Sequence, residues 1–198
     1  MREDAIPDIY RRHAAAFDAQ RGRSLIERPW LDRFAAHLAS GAEVLDLGCG
    51  MGEPIARHLV GQGFRVTGVD VSAPLLNLAR RRMPRATWIE ADMRGLDLGR
   101  RFGGILAWDS FFHLARADQR AMFAVFARHA APSAPLMFTS GPEEGEAIGC
   151  FEGEALFHAS LAPEAYHRLL AAEGFAVLAH RAEDPDCGGR TVWLARRG

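Results

Sequence analysis

The stretch Asp46-Leu47-Gly48-Cys49-Gly50-Met51-Gly52 decides the reading of this chain. It follows the apolar run Val44–Leu47 and precedes a segment whose Ile55 and Leu59 share one helical face. Glycines at such a strand-to-helix turn let the backbone reverse sharply and let a ligand approach the peptide groups. A helix starting behind them would point free N–H groups and a positive dipole end at that ligand, which favours an anionic group. Pro54 suits a first helical turn.

Working outward, apolar strands and amphipathic helices alternate. Strands are expected at Phe64–Asp70, Ala86–Ala91, Phe102–Trp108 and Ala134–Thr139, and a final pair at Phe175–Arg181 and Arg190–Arg196. Between them, Ser72 can cap a helix running to Pro84, Asp118 opens another that ends by Pro132, and Pro163 starts one that stops at Gly174. Ahead of them, two helices are expected near Asp8–Ala19 and Ser24–Ala39. Such alternation predicts a doubly wound α/β domain with helices on both faces of a seven-stranded, mostly parallel sheet. The last pair forms an antiparallel hairpin around the turn at Pro185–Gly189. Gly141–Glu154, rich in Gly and Glu, reads as a mobile loop. All 198 residues fit one domain, with a helical lid at 1–40 and an α/β core at 41–198.

Composition narrows the function. The net charge is −1, which does not suit a protein that tracks a phosphate backbone. There is no lysine, so Schiff-base chemistry is excluded. The three cysteines Cys49, Cys150 and Cys187 show no CxxC spacing, against a disulfide framework or a cysteine zinc site. No apolar run reaches the roughly 18–20 residues of a membrane helix, and the N-terminus lacks a signal-peptide core, so a cytoplasmic location is expected.

Further residues converge on the carboxyl ends of the first strands. Asp70 ends the second strand, 22 residues beyond Gly48, where a carboxylate can accept both hydroxyls of a ribose. Asp92 ends the third. A nicotinamide dinucleotide is the competing ligand, but its GxGxxG fingerprint would place Glu53 against the pyrophosphate.

Asp46–Gly52 resembles motif I of the class I S-adenosylmethionine (SAM) methyltransferases, and Val66–Ser72 is similar to the family's second motif. The resemblance runs from about residue 42 to residue 197 and implies a Rossmann-like fold. It implies SAM as cofactor, with S-adenosylhomocysteine (SAH) as product. Gly48, Cys49 and Gly50 would line the methionine part, with Asp46 orienting the loop or the ligand's ammonium group. Asp70 would take the ribose, Val71 and Met93 the adenine faces, and Asp92 the exocyclic amine. Trp108 would stand beside the methionine chain, and Arg21, in a lid segment, would pair with its carboxylate. One departure is Phe102-Gly103-Gly104-Ile105, where many members carry an acidic residue; a loosened strand entry is expected there.

On the acceptor side, Trp108–Leu114 would border methyl transfer, with His113 as a candidate general base and Phe111 as a substrate contact. Asp109 suits a turn better than a metal site, since no converging carboxylates are evident. Tyr10 and Phe17, spaced seven apart, and His158 would also meet substrate. The short segment 141–160 leaves no room for a large recognition domain, so the acceptor is expected to be a small molecule, with no nucleic acid or membrane partner. A monomer or homodimer is expected. The alternative is a SAM- or SAH-binding module without turnover.

Overall fold

The computed structural model describes residues 3–198; Met1 and Arg2, part of the expected lid, lie outside the described residues. The strands are β1 (Glu43–Leu47), β2 (Arg65–Asp70), β3 (Thr87–Glu90), β4 (Gly104–Ala107), β5 (Pro135–Ser140), β6 (Gly145–Phe151), β7 (Glu154–Ser160), β8 (Phe175–Asp184) and β9 (Arg190–Arg197). The helices are α1 (Ile6–Arg12), α2 (Ala14–Gln20), α3 (Arg28–Ala35), α4 (Ile55–Gly61), α5 (Ala73–Arg82), α6 (Arg116–His129) and α7 (Pro163–Ala172).

Seven strands form one sheet in the order β3-β2-β1-β4-β5-β9-β8, and only β9 runs against its neighbours. Its central strands are buried on both faces, which is why they read as nearly continuous apolar runs. Alternate residues feed opposite layers. Leu45, Ile105 and Phe138 pack with Phe123, Phe126 and Tyr166 under α6 and α7. Val44, Leu106 and Met137 pack with Phe34, Leu59 and Leu76 under α3, α4 and α5. Register places Leu47 beside Val69 and Asp46 beside Leu106, so β1, β2 and β4 end on one edge. The strand order reverses between β1 and β4, the crevice where open α/β sheets bind ligands.

Four local expectations need correction. The first helix is two, because the chain breaks its helical path at His13. The second is shorter, Arg28–Ala35. The strand entry at Gly104 is not loosened: Gly104 pairs with Val44, and a Cβ there would fall 2.7 Å from Phe34 and 2.6 Å from Leu38, so the glycine admits those two side chains. The expected loop at Gly141–Glu154 is largely a β-hairpin, β6 with β7, turning through Glu152 and Gly153 at positive φ (52° and 78°). Its β6 strand carries few β-branched residues and is mostly exposed, so it lacks the usual sequence signature. Tertiary contact forms it: Leu156, Phe157 and Ala159 of β7 bury Ile6 and Ile9 of α1. Burying those two isoleucines contributes about 3–6 kcal/mol before the entropy of ordering the segment. Among the described residues, no helix is long and apolar enough to cross a membrane.

Candidate active site

The glycine loop is tied down before any ligand arrives. The Gly48 and Cys49 N–H groups both donate to the Val69 carbonyl, at 2.8 and 3.1 Å. Gly48 has φ +73°, and a Cβ there would lie 2.2 Å from the Ser110 Cβ. Ser110 in turn donates to the Leu47 carbonyl at 2.7 Å, which locks the loop after β4 beneath the loop after β1. The sequence offered a helix start to an anion, but α4 has only seven residues and begins at Ile55. The Gly50 N–H donates to Asp70 Oδ2 at 2.8 Å instead, and the Ser72 N–H donates to Asp70 Oδ1 at 2.8 Å. Ser72 does not cap α5 with its side chain; its hydroxyl reaches the Tyr10 carbonyl at 3.3 Å.

Two backbone donors leave the Asp70 carboxylate with free lone pairs. Burial raises its pKa, opposed by those N–H groups. Asp46 is more deeply buried, and its carboxyl is pushed up to about 7, first by burial and then by the nearby Asp70 charge.

A first cleft opens along this edge. Val71, Asp92 and Met93 line it together with Tyr10 and His113. The Asp92 carboxylate is gripped by the Arg94 side chain at 2.7–3.1 Å and accepts its N–H at 2.9 Å. A second cleft continues from the first, lined by Arg21, Asp46, Cys49 and Trp108. Phe17, Gly48, Gly50 and Asp109 line both. Arg21 is held by Glu27, which is fully buried, at 2.5 Å.

In the first cleft, His113 is buried between two partners. Its Nδ1 lies 2.9 Å from the Phe157 carbonyl and its Nε2 lies 3.1 Å from the Tyr10 hydroxyl. A carbonyl only accepts, so Nδ1 carries the proton and Nε2 accepts from Tyr10. Burial holds the His113 pKa down to about 4. Tyr10 is pushed up to about 12, first by burial and then by the Asp109 and Asp70 charges. The Tyr10 ring stacks on Phe151 at 6.0 Å and meets Phe17 edge-on at 5.4 Å.

Two expected substrate contacts fall elsewhere. Phe111 is fully buried against Phe123, Phe126 and Phe138 and lines neither cleft, because its ring points into the α6 layer. His158 lines a separate cavity with Phe112 and Glu143, although its ring stands 4.8 Å from that of His113. Asp109 is held by Arg190 through three contacts at 2.7–3.0 Å, and no group of three or more possible metal ligands occurs among the described residues. Arg190 carries no sequence signal of its role, since nothing in sequence ties it to a residue 81 positions earlier.

The donor set suits SAM. Asp70 has acceptor capacity left for hydroxyls, and apolar Val71 and Met93 line the same cleft. The buried Trp108 Nε1 has no partner among the described residues and belongs to the cleft where a ligand carboxylate would lie.

Residues 44–133 match the methyltransferase domain family model. The chain is 40% identical over 98 residues to a dTDP-3-amino-3,6-dideoxy-alpha-D-glucopyranose N,N-dimethyltransferase of Streptomyces fradiae, covering 48% of this chain and 38% of the relative. It is 44% identical over 57 residues to a trans-aconitate 2-methyltransferase of Paracidovorax citrulli, covering 28% of this chain and 22% of the relative. The chain thus matches well under half the length of these curated relatives. Among solved structures, the 1,6-didemethyltoxoflavin-N1-methyltransferase of Burkholderia thailandensis superposes with a TM-score of 0.77 at 22% identity, over 98% of this chain and 88% of that one. A SAM-bound amino pentose methyltransferase from Micromonospora echinaspora gives 0.72 at 22% identity, over 94% and 96%. Residues 44–133 thus match the methyltransferase domain model, and the chain shares its overall fold with these solved S-adenosylmethionine methyltransferases.

Proposed function

We propose that this protein transfers the methyl group of SAM to an oxygen, nitrogen or carbon of a small molecule. The observation that carries the reading is the continuity of the first cleft, which joins the Asp70 carboxylate to the Tyr10–His113 pair. Bound SAM would supply an electrophilic methyl group. The protein's part is to orient the acceptor beside it and to exclude water.

Asp70 takes the ribose hydroxyls, Val71 and Met93 the adenine faces, and Asp92 the exocyclic amine. Asp46, Gly48, Cys49, Gly50 and Trp108 surround the methionine part. Arg21 holds its carboxylate while keeping Glu27 as a second partner. Tyr10 and His113 act on the acceptor. With a pKa near 4, His113 is a weak base; its Nε2 lone pair fixes the Tyr10 hydroxyl, which directs its own lone pairs at the acceptor. Phe17 closes the cleft from α2.

The reading includes a lid at 1–40 over a core at 41–198, a cytoplasmic monomer or homodimer, and no nucleic-acid partner; the net charge of −1 supports the last point. Both curated relatives are named for small acceptors, an amino-sugar nucleotide and trans-aconitate.

The test is calorimetric titration of SAM and SAH into the wild type and Asp70→Ala, followed by labelled-methyl transfer to a panel of small amines, alcohols and acids. Losing two hydrogen bonds to a charged acceptor costs about 1.5–3 kcal/mol each, so affinity should fall at least tenfold. No SAM binding to the wild type overturns the reading. Binding without transfer to any acceptor leaves a module that holds SAM without turnover.

A further inference from the structure

Asp109 occupies a position that no other charged side chain in the site shares. Asp70 lines only the first cleft and Asp46 only the second, whereas Asp109 lines both. The other residues common to the two clefts are Phe17, Gly48 and Gly50. A ligand with adenosine in the first cleft and methionine in the second must place its sulfur where the clefts meet. An anion and an aromatic ring therefore flank that sulfur, and both attract a cation.

The carboxylate is fixed in place. Asp109 has φ +47°, its N–H donates to Thr139 Oγ1 at 2.9 Å, and Arg190 grips its side chain from behind at 2.7–3.0 Å. Arg190 itself lines neither cleft. The pair thus presents its negative end to the junction and its positive end to the β8–β9 turn. The carboxylate's field still reaches Tyr10, where it adds to burial in raising the hydroxyl's pKa.

We infer that the Asp109–Arg190 pair makes the junction selective for the sulfonium form of the cofactor, so that the site favours SAM over SAH and weakens its hold once the methyl has gone. This rests on the proposed SAM reading. Methyl transfer breaks the S–CH3 bond and leaves its electron pair on sulfur. The acceptor's lone pair forms the new bond, and the cation at the junction becomes a neutral thioether. The attraction from Asp109 then disappears, while contacts to ribose and adenine stay.

The experiment measures the Kd of SAM, SAH and the amine-bearing analogue sinefungin for the wild type, Asp109→Asn and Arg190→Gln. Asparagine accepts a left-handed backbone as aspartate does, so the first variant keeps the turn. Asp109→Asn leaves the Arg190 charge facing the cation, and the preference for SAM over SAH should fall about tenfold. Arg190→Gln leaves the carboxylate uncompensated, and the same preference should rise about threefold. Sinefungin should follow SAM. A structural role alone would weaken every ligand equally in both variants. That result, or shifts of the same sign, overturns the inference and leaves the methyltransferase reading standing. Failure of the wild type to bind either SAM or SAH defeats that reading instead.

Discussion

The donor end and the acceptor end of the cleft are built by different means. At the donor end, the glycine loop is held through its own backbone: the Gly48 and Cys49 N–H groups bond to the Val69 carbonyl of β2 and the Gly50 N–H to the Asp70 carboxylate. At the acceptor end, groups from three distant segments meet. Tyr10 comes from α1, His113 from the turn after β4, and Phe157 and Phe151 from the β6–β7 hairpin. His13 and Arg12 cross to Glu154 to tie the outer parts together. On the proposed reading, the contrast separates a constant task, holding one cofactor, from a variable one, choosing an acceptor. A backbone cradle tolerates little change, whereas a surface of side chains can be rebuilt without disturbing the sheet.

The sharpest way to break this contrast is Gly48→Ala. A Cβ at φ +73° and 2.2 Å from Ser110 should cost about 3 kcal/mol, a fall in Tm of roughly 10 °C, and should abolish SAM binding. Thermal melts and calorimetry check it. A loss below about 1 kcal/mol with intact binding would show that the donor cradle yields as readily as the acceptor surface.

Tyr10→Phe should do the reverse. SAM affinity should stay within about threefold, while kcat/KM falls by about tenfold or more. The pH dependence adds a second check. The folded His113 pKa of about 4 lies below its ordinary value of 6.5, so the group stays neutral across the neutral range. The kcat/KM profile should therefore show no inflection from His113 near 6.5. Between those two values the unfolded chain binds the extra proton, so this residue's contribution to stability is complete above pH 6.5 and is lost as pH falls towards 4. His113→Asn should flatten that part of the acid limb in denaturant melts across pH.

The smallest effect is expected at the outer tie. Glu154→Gln removes partners of Arg12 and His13 at a partly exposed position near the surface, where ion pairs contribute little. KM for the acceptor should rise by less than about fivefold, with SAM affinity unchanged. A large loss of SAM affinity would show that the hairpin shapes the donor end as well.

How far the sequence could be read follows the same division. The order of strands and helices, the parallel sheet with its antiparallel C-terminal hairpin, and the Gly48–Gly50–Asp70 cluster all rest on local signals. An apolar run, a glycine turn and a carboxylate at a strand end each keep their meaning whatever lies elsewhere in the chain. The break at His13 was not visible, because helical periodicity runs through it; yet Tyr10, Phe17 and Arg21 still reach the two clefts. Phe111 and Phe112 are adjacent and chemically alike, and only packing decides that the first enters the core while the second faces the hairpin.

The sequence by itself determined the sheet and the donor cradle, because both arise from residues close in the chain whose backbone geometry and burial pattern are local properties. The tertiary structure alone decided the acceptor end: the hairpin where a loop was expected, the neutral His113 with its lone pair on Tyr10, and the grip of Arg190 on Asp109. Each depends on burial and on contacts between residues far apart in the chain, and neither desolvation nor a partner that far away leaves a mark in the local pattern.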